Sequence, residues 1–320
     1  MIENIGIVGA GNVASFHIEA LIAVGFELNG ICATPGSHRA KSLATKYSIP
    51  YFHTVSKLIH ESNSQSYLIC VEASAINSVL DEFSSLNLPL LIEKPGPSRI
   101  HGAMRDPFED KLSWFVAYNR RFYEPIETLK KNFDSNGGFI TFRFIESCLI
   151  SDLMSVQEAL FNNTVHGIDL IHFLIGDFSF AEYYLSIEGS FFEAKIISEL
   201  RGYVGKLVIF FGAPANTSIE LIRGGEIYLV QPLEKITKFN SIEILEPSED
   251  NQIRTYKPIW IGDSAQIETC NLHFKPGFLK QASEFKHNQP GVDSRLCSVT
   301  ENYRTLKTID KIVDFMKSTI

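Results

Sequence analysis

Cysteine is scarce in this 320-residue sequence, and its five cysteines show no functional spacing. They lie at positions 32, 70, 148, 270 and 297, with no CxxC pair and no spacing typical of metal ligands. This pattern argues against a disulfide framework, and we expect no metal site. An odd number of scattered cysteines is typical of a reducing compartment, so we expect a cytoplasmic protein.

Basic residues are outnumbered by acidic ones, and no apolar stretch is long enough to span a bilayer. Lysine and arginine total 29 against 37 aspartates and glutamates, a formal net charge of −8. The chain is therefore not expected to bind nucleic acid or a membrane surface, since both need a basic face. A few local cations can still bind an anionic small molecule. The opening MIENIGIVGAG has no signal-peptide features, and we expect none.

What the first third of the chain does contain is a regular alternation of short apolar strands and helical segments. Predicted strands cover residues 5–8, 26–32, 67–71, 88–92 and 113–118, and predicted helices end near residue 24 and cover 38–47 and 75–85. Because these strands are apolar on both faces, the alternation indicates a parallel sheet covered by helices.

The pattern changes after about residue 120. Alternating apolar and polar residues predict strands at 138–147, 183–188 and 207–211 and a hairpin of 218–223 with 226–230, while helices are predicted at 163–174 and 299–316. The fold class is therefore α/β, with a parallel-sheet domain (1–120) and an α/β domain (121–320) whose large, mostly antiparallel sheet has an open or partner-covered face. The C-terminal helix is a candidate to pack back on the first domain.

A glycine-rich turn follows the first strand directly and opens the first helix. Gly9, Gly11, Asn12, Val13 and Ala14 belong to a G-x-G-x-x-G/A motif. In this motif the first glycine permits a tight turn, the second lets the backbone approach a pyrophosphate, and the third residue allows close helix packing. Such a turn can also merely close a loop, but the order strand, turn, helix favours a Rossmann dinucleotide site.

The end of the second predicted strand has no carboxylate to bind the ribose hydroxyls of NAD. Instead Thr34, Ser37 and Arg39 follow it, and small polar residues with an arginine suit the 2′-phosphate of NADP. The alternative is that Arg39 is a solvated residue of the next helix. We predict NAD or NADP as the cofactor, with a slight preference for NADP.

Glu93, Lys94 and Pro95 follow the predicted strand 88–92. Residues at the carboxyl ends of parallel strands line the ligand crevice of an open sheet, so Lys94 is positioned to reach a substrate hydroxyl beside the nicotinamide. A strand-end lysine on its own is more often a surface charge.

With these motifs the sequence resembles the glucose-fructose oxidoreductase / inositol dehydrogenase (Gfo/Idh/MocA) family along essentially its whole length. The resemblance is carried by residues 9–14, 93–95, 118–122 and 162–169. It implies a Rossmann domain, a second domain whose open sheet forms a homodimer or homotetramer, and hydride transfer between NAD(P) and a sugar or related carbon.

The sequence departs from the family pattern in three places. Asn162 stands where an aspartate is usual, the loop 71–77 lacks the usual proline and histidine, and Gly96-Pro97 follows the Glu-Lys-Pro motif. Some members that act on nucleotide-linked sugars resemble this chain in having asparagine at that position.

The resemblance assigns roles to individual residues. Lys94 and His166 are the catalytic candidates: Lys94 relays the carbinol proton, which requires a pKa below the usual ~10.4 of lysine. Asn162, His166 and Asp169, spaced by four and three residues, are predicted to share one helix face.

Tyr118, Asn119 and Arg120, together with Asn162 and Asp169, are the predicted substrate-binding residues. An arginine at this strand end suits a substrate carboxylate or phosphate, although Arg120 and Arg121 equally suit salt bridges. Glu93 is predicted to shape the cofactor end of the crevice.

The leading hypothesis is therefore an NAD(P)-dependent dehydrogenase of a small-molecule sugar or sugar derivative, possible substrates including nucleotide-linked or acidic sugars. A second hypothesis is a reductase of a non-sugar carbonyl, imine or tetrapyrrole. A third is a non-catalytic dinucleotide sensor, which Asn162 favours and which Lys94 and His166 oppose.

Overall fold

The computed structural model describes residues 2–97, 111–132, 137–250, 252–263, 273–287 and 294–319. The chain forms two units, Met1–Phe122 with Asn271–Asp310 and Tyr123–Cys270 with Lys311–Ile320. No helix in the described ranges is long and apolar enough to cross a membrane.

The strands are, in chain order, β1 Asn4–Val8, β2 Glu27–Cys32, β3 Tyr51–Phe52, β4 Ser66–Ile69, β5 Leu90–Ile92, β6 Trp114–Val116, β7 Gly138–Glu146, β8 Ser179–Ser186, β9 Phe191–Ser198, β10 Tyr203–Phe211, β11 Ser218–Arg223, β12 Glu226–Val230, β13 Ile236–Leu245, β14 Thr255–Asp263 and β15 Cys297–Ser298.

The α-helices are α1 Ala14–Ala23, α2 His38–Tyr47, α3 Val55–Glu61, α4 Ile76–Phe83, α5 Glu124–Lys131, α6 Leu153–Ala159, α7 Val165–Ile175, α8 Phe278–His287 and α9 Val299–Thr319. Short 3₁₀ turns cover Ala73–Ala75 and Asn119–Phe122, and a π-helical turn, Leu160–Thr164, joins α6 to α7.

The first unit contains a seven-stranded sheet in the order β15-β6-β5-β4-β1-β2-β3, in which β1 to β6 pair in parallel and β15 pairs antiparallel to β6. Val8 is in register with Cys32 and Ile69, and Ile69 with Ile92. The carboxyl ends of β1, β2, β4 and β5 therefore form one edge, where the predicted cofactor motifs all begin.

The second unit contains an eight-stranded sheet in the order β14-β13-β12-β11-β7-β10-β9-β8. Among its described pairings only β7 with β10 is parallel. On β7, the buried side chains of Phe142, Phe144 and Glu146 alternate with residues of the other face, because successive side chains of a strand point to opposite sides. The predicted fold class, a Rossmann-type parallel sheet plus a mostly antiparallel sheet, is confirmed.

Several predicted elements agree closely with the structure and some do not. Helix α2 and the hairpin β11–β12 have the predicted bounds. Strand β8 begins four residues before its predicted start, and strands β9, β13 and β14 were not predicted. The predicted helix 163–174 is α-helical only from Val165, because Asn163 and Thr164 belong to the π-helical turn.

Candidate active site

The turn after β1 can be built only with glycine at its first position. Gly9 has φ +95°, and a Cβ on it would lie 2.5 Å from the carbonyl carbon of Cys70. Its N–H donates to the Cys32 carbonyl at 2.7 Å, and the N–H of Gly11 donates to the Cys70 carbonyl at 3.3 Å. The turn is thus tied to the ends of both neighbouring strands, and its lack of side chains leaves the backbone open on the crevice side.

A cavity of about 650 Å³ opens beside this turn in the first unit. Six predicted cofactor residues line it: Gly9, Gly11, Asn12, Thr34, Ser37 and Arg39. Its wall also includes residues that were not predicted, among them His53, Thr54, Val55, Cys70, Val71 and Glu72. The residues after β4 could have been found from the rule that strand ends line the crevice. The residues after β3 could not, because this two-residue strand was not predicted.

Four predicted cofactor residues are not in the described wall of this cavity. Val13 occupies the position before the first residue of α1, and Ala14 is that first residue and is fully buried. This fits the packing role that the motif gives them. Glu93 and Lys94 follow β5, two strands along the sheet from β1.

The geometry of the first unit fits a dinucleotide. The volume falls within the usual ~300–1,000 Å³ of small-molecule sites. Helix α1 begins at the cavity with no side-chain cap on its N-terminus, so its first N–H groups can bind a pyrophosphate. Gly9, Gly11 and Asn12 would hold that group, and the residues after β2 would hold the adenosine end.

The adenosine end is organised around Arg39. Its guanidinium donates to the Oδ1 atom of Asn12, which links the start of α2 to the glycine turn. Ser37 caps α2 by accepting a hydrogen bond from the Ala40 N–H at 3.2 Å. Glu72 is the single carboxylate in the described wall, and it follows β4 rather than β2.

Lys94 is half-buried at the carboxyl edge of the sheet. Burial lowers its pKa; the negative charge of Glu93 opposes this shift, while the positive charges of Arg120 and Lys275 add to it. A lysine with a lowered pKa is a better proton acceptor near neutrality than an ordinary one. Its environment therefore meets the physical condition for the predicted proton relay.

Glu93 is buried and paired with a histidine that the sequence reading did not single out. The Nε2 atom of His17, on α1, lies 2.6 Å from Oε1 of Glu93, and both side chains are more than nine-tenths buried. The pair links the helix that follows the glycine turn to the residue before Lys94. No motif pointed to His17, because the two positions are 76 residues apart.

The turn Asn119–Phe122 is held largely by contacts within the first unit. The Tyr118 hydroxyl donates to Asn302 at 2.8 Å and the Asn119 amide donates to the Pro276 carbonyl at 3.0 Å. Arg121 is buried, donates to the Arg295 carbonyl at 3.3 Å and lies 3.6 Å from a Glu301 oxygen.

Tyr118 and Asn119 are thus buried and hydrogen-bonded within the first unit, whereas Arg120 is half-buried. The salt-bridge alternative describes Arg121 well. A substrate role for Tyr118, Asn119 or Arg120 stays a prediction.

In the second unit, a π-helical turn interrupts the helix that was predicted to carry Asn162, His166 and Asp169. A π turn accommodates an extra residue, so side chains before it are rotated relative to those after it. His166 and Asp169 are buried on α7, whereas Asn162 lies within the turn and is exposed. Asn162 therefore precedes the regular α-helix that carries His166 and Asp169, and a shared face for the three residues stays a prediction.

The π turn is pinned to the sheet by a buried carboxylate. Glu146, at the end of β7, accepts hydrogen bonds from the Thr164 hydroxyl and from the Asn163 amide at 3.2 Å. One residue after His166, a Cβ on Gly167 would lie 2.5 Å from a ring carbon of Phe144. Helix α7 therefore approaches β7 more closely than any other residue at position 167 would permit.

Residues 3–105 match the family model described as GFO_IDH_MocA, an oxidoreductase family with an NAD-binding Rossmann fold. No curated protein sequence gave a significant match.

Three solved structures illustrate the likeness of fold. A dehydrogenase (MviM) from Clostridium difficile has 16% identity and a TM-score of 0.73, covering 98% of this chain and 99% of its own. UDP-N-acetylglucosamine 3-dehydrogenase from Acidithiobacillus ferrooxidans has 15% identity, a TM-score of 0.72 and coverage of 97% and 96%. The WlbA dehydrogenase from Bordetella pertussis, in complex with NADH and UDP-GlcNAcA, has 15% identity, a TM-score of 0.70 and coverage of 100% and 96%.

At these identities the structural likeness establishes the fold, and the family model covers the region that contains both the glycine turn and the Glu93-Lys94-Pro95 motif. Residues 3–105 of this chain are therefore similar to the NAD-binding Rossmann domain of the Gfo/Idh/MocA oxidoreductase family.

Proposed function

We propose that this protein is a dehydrogenase or reductase that transfers hydride between NAD(P) and a CH–OH or C=O carbon of a sugar derivative. The observation that carries the proposal is the position of Lys94, at the same sheet edge as the dinucleotide cavity and with a lowered pKa. A proton acceptor for a carbinol requires both a place at the ligand edge of the sheet and a lowered pKa.

Each candidate residue has a stated part in this proposal. The nicotinamide dinucleotide, when bound at Gly9–Ala14, supplies or accepts the hydride. In the oxidative direction neutral Lys94 takes the hydroxyl proton, and in the reductive direction protonated Lys94 returns it to the carbonyl oxygen. His166 is the second proton-transfer group.

Asn162, Asp169, Tyr118, Asn119 and Arg120 are proposed to position the substrate. Asn162 is exposed, so a ligand can reach its side chain, while buried Asp169 is suited to orienting both His166 and the substrate. Asn162 has no titratable proton, so it contributes hydrogen bonds and no proton transfer.

We propose a nucleotide-linked or acidic sugar as the substrate class. Two proteins of similar fold support it by their names: one acts on UDP-N-acetylglucosamine and the other was solved with UDP-GlcNAcA. Arg120 in the turn after β6 offers a cation to such an anionic group.

For the cofactor we propose a preference for NADP over NAD. The cavity wall after β2 contains Thr34, Ser37 and Arg39 and, among the described lining residues, no carboxylate in that segment. An arginine there favours a 2′-phosphate, while NAD usually needs an acidic partner for its ribose hydroxyls.

The open sheet of the second unit is proposed to pair with a second copy of the chain as a homodimer or homotetramer. Exposed apolar side chains on its strands, including Phe139, Val204, Ile242 and Tyr256, support this assignment. Light scattering across a range of protein concentrations tests it, and a monomer at all concentrations would refute it.

A dehydrogenase screen tests the catalytic proposal. Purified protein is assayed with NAD(H) and NADP(H) against neutral sugars, sugar acids and nucleotide-linked sugars, in both directions. We expect cofactor-dependent turnover on at least one nucleotide-linked or acidic sugar, with NADP(H) preferred. Tight cofactor binding with no turnover of any sugar, but with turnover of a non-sugar carbonyl or imine, would reject the sugar assignment.

A further inference from the structure

The first unit buries a pair of ionisable side chains, His17 on α1 and Glu93 directly after β5. The Nε2 atom of the histidine lies 2.6 Å from Oε1 of the glutamate, and the two side chains are only 2% and 8% exposed. Burying two ionisable groups is costly, and apolar residues of similar volume in their place often leave a protein no less stable. A contribution to stability therefore does not explain the pair.

Glu93 is fixed at three points. Its N–H donates to the Ile69 carbonyl at 2.8 Å, and its carbonyl accepts a hydrogen bond from the Gly96 N–H at 3.0 Å. The second of these bonds closes a four-residue turn from Glu93 to Gly96, in which Lys94 is the second residue. The third point is the carboxylate, which His17 holds. The backbone that carries Lys94 therefore begins at an anchored residue.

The far end of this turn is closely packed. A Cβ on Gly96, which has φ +77°, would lie 2.7 Å from the Nδ2 atom of Asn302 and 2.7 Å from a methyl group of Val116. Asn302 is itself held, because its Oδ1 atom accepts a hydrogen bond from the Tyr118 hydroxyl at 2.8 Å. The turn has little freedom at Gly96, so the orientation of Lys94 depends on how firmly the other end is held.

His17 is placed by the helix that follows the glycine turn. Its N–H donates to the Val13 carbonyl at 3.2 Å, in the first turn of α1. Its ring packs against the Phe278 ring, with the two centroids 4.4 Å apart. The helix whose N-terminus can bind a pyrophosphate therefore also carries the side chain that holds Glu93.

The charges around the turn agree with this geometry. Three charged side chains act on Lys94 in addition to the burial that lowers its pKa: Glu93, Arg120 and Lys275. Glu93 is the one that opposes the lowering. Glu93 also faces the Cys70 thiol, whose pKa is raised by burial and by the charge of Glu93. Among the described residues, His17 is the side chain that hydrogen-bonds its carboxylate.

We propose that His17 is a positioning residue for Lys94. Its ring fixes the Glu93 carboxylate, and Glu93 holds the turn that presents the lysine at the ligand edge of the sheet. His17 acts through Glu93 and is not itself a catalytic residue. The inference rests on the proposed function for the role of Lys94, and it adds a residue that no sequence motif indicated.

Matched substitutions separate the hydrogen bond from the packing of the ring. His17→Gln places an amide N–H near the position of the Nε2 atom, whereas the shorter side chain of His17→Asn ends before it. His17→Phe keeps a ring against Phe278 but has no donor. Glu93→Gln keeps a hydrogen-bonding group opposite His17 and removes the negative charge. His60→Asn, at an exposed histidine of the same unit, is the control.

Competitive labelling measures the state of Lys94 without any turnover. Trace acetic anhydride is added at a series of pH values, and peptide mass spectrometry compares acetylation of Lys94 with that of Lys41, an exposed lysine of the same unit. The Tm of each variant is recorded in parallel, so that a loss of stability is measured separately from a change at Lys94.

We expect the removal of the His17 donor to change the titration of Lys94. A buried carboxylate that loses its partner is disfavoured as a charge, so the negative charge beside the lysine is weakened. The labelling midpoint of Lys94 should then move to lower pH in His17→Asn and His17→Phe, and in the same direction in Glu93→Gln. It should stay near the wild-type midpoint in His17→Gln and His60→Asn.

A double variant decides whether His17 acts through Glu93. With Glu93→Gln already present, His17→Asn should add no further shift, because the two residues act as one unit. An unchanged Lys94 titration in His17→Asn, even with a lower Tm, would overturn the inference, and so would an equal shift with and without Glu93. If His17→Phe does not fold, His17→Asn and Glu93→Gln, which keep polar side chains, carry the test.

A kinetic comparison separates this inference from the proposed function. On an active substrate, His17→Asn should lower kcat about ten- to hundred-fold while KM stays within about two-fold, because a misplaced reacting group acts on the turnover step. His17→Gln should recover most of the lost rate. If no substrate is turned over, the proposed function fails, while the labelling result still decides whether His17 positions Lys94.

Discussion

Two helices carry or adjoin the candidate site groups, and they begin in different ways. Helix α1 of the first unit follows a turn whose conformation is fixed by a single glycine, since any Cβ at Gly9 would meet the Cys70 backbone. Helix α7 of the second unit follows a π-helical turn that is held by the buried side chain of Glu146.

The difference lies in what each turn depends on. The conformation of the turn before α1 is set by backbone sterics, so a substitution at Gly9 should abolish cofactor binding while the second unit stays folded. The π-helical turn before α7 depends on hydrogen bonds between distant residues, so removal of one of these bonds should loosen α7 and leave cofactor binding intact. Four variants test this comparison, in order of expected effect.

The largest effect is expected from Lys94→Ala. Loss of the proton-transfer group should lower turnover by about 10²- to 10⁴-fold while the cofactor Kd stays within about two-fold. Steady-state kinetics and a fluorescence titration with NADPH measure the two quantities. Wild-type turnover in this variant would remove Lys94 from the mechanism.

The pH dependence of the wild type follows from the same residue. Burial and nearby cations lower the pKa of Lys94, so the neutral amine is present at lower pH than for an ordinary lysine. Oxidation should therefore rise with pH and level off above that pKa, and reduction should fall through the same region. Lys94→Ala should lack this transition.

Next in size is Gly9→Ala. The new Cβ requires the β1–α1 turn to move away from the Cys70 carbonyl and forces alanine to φ +95°, at a combined cost of about 2–5 kcal/mol. We expect loss of measurable NADPH binding and a lower Tm, with unchanged amide hydrogen exchange in α7.

Gly36→Ala is the matched control for the backbone strain. Gly36 also has a positive φ, +89°, but a Cβ there meets nothing within 4 Å. It should therefore show only the conformational cost of about 1–2 kcal/mol and retain cofactor binding. Equal losses of binding in both variants would mean that φ, and not the clash with Cys70, explains the glycine.

This contrast also explains what the sequence could and could not predict. The Gly9–Ala14 turn and the bounds of α2 were predictable, because their requirements belong to the residues themselves: φ at Gly9 and the Ser37 cap of α2. The family match over residues 3–105 extends this to the NAD-binding function.

The features of the candidate site that were not predicted depend on contacts between residues far apart in the sequence. The His17–Glu93 pair spans 76 residues and the Glu146–Thr164 contact spans 18, so neither leaves a local pattern. A helix containing the π turn Leu160–Thr164 has the same composition as an uninterrupted one, which is why the α-helix was predicted to begin at residue 163 and not at Val165.

A smaller effect is expected from Thr164→Val, which removes the hydroxyl that donates to Glu146 while keeping the side-chain shape. One carboxylate oxygen of a residue only 3% exposed then lacks this donor, at a cost of about 1–3 kcal/mol. Faster amide hydrogen exchange in peptides spanning 160–175, with unchanged NADPH affinity, is the expected result.

Thr141→Val is the control for that experiment. Thr141 lies on the other face of β7 from Glu146 and, within the described residues, forms no side-chain hydrogen bond. It should change stability by no more than about 0.5 kcal/mol. If both variants exchange at the wild-type rate, the Glu146 contacts do not hold the π turn.

The smallest effect is expected from Arg39→Ala, which sharpens the comparison within the first unit by separating the glycine turn from the adenosine end. The guanidinium is tied to Asn12 and lines the cavity, so its loss should weaken NADPH about ten-fold and NADH by less than about two-fold. Lys41→Ala, an exposed residue half a turn further along α2 and outside the cavity wall, should change neither affinity. Equal weakening of both cofactors by Arg39→Ala would mean that Arg39 supports the turn through Asn12 and does not select the 2′-phosphate. In that case the absence of a carboxylate after β2 no longer argues for NADP.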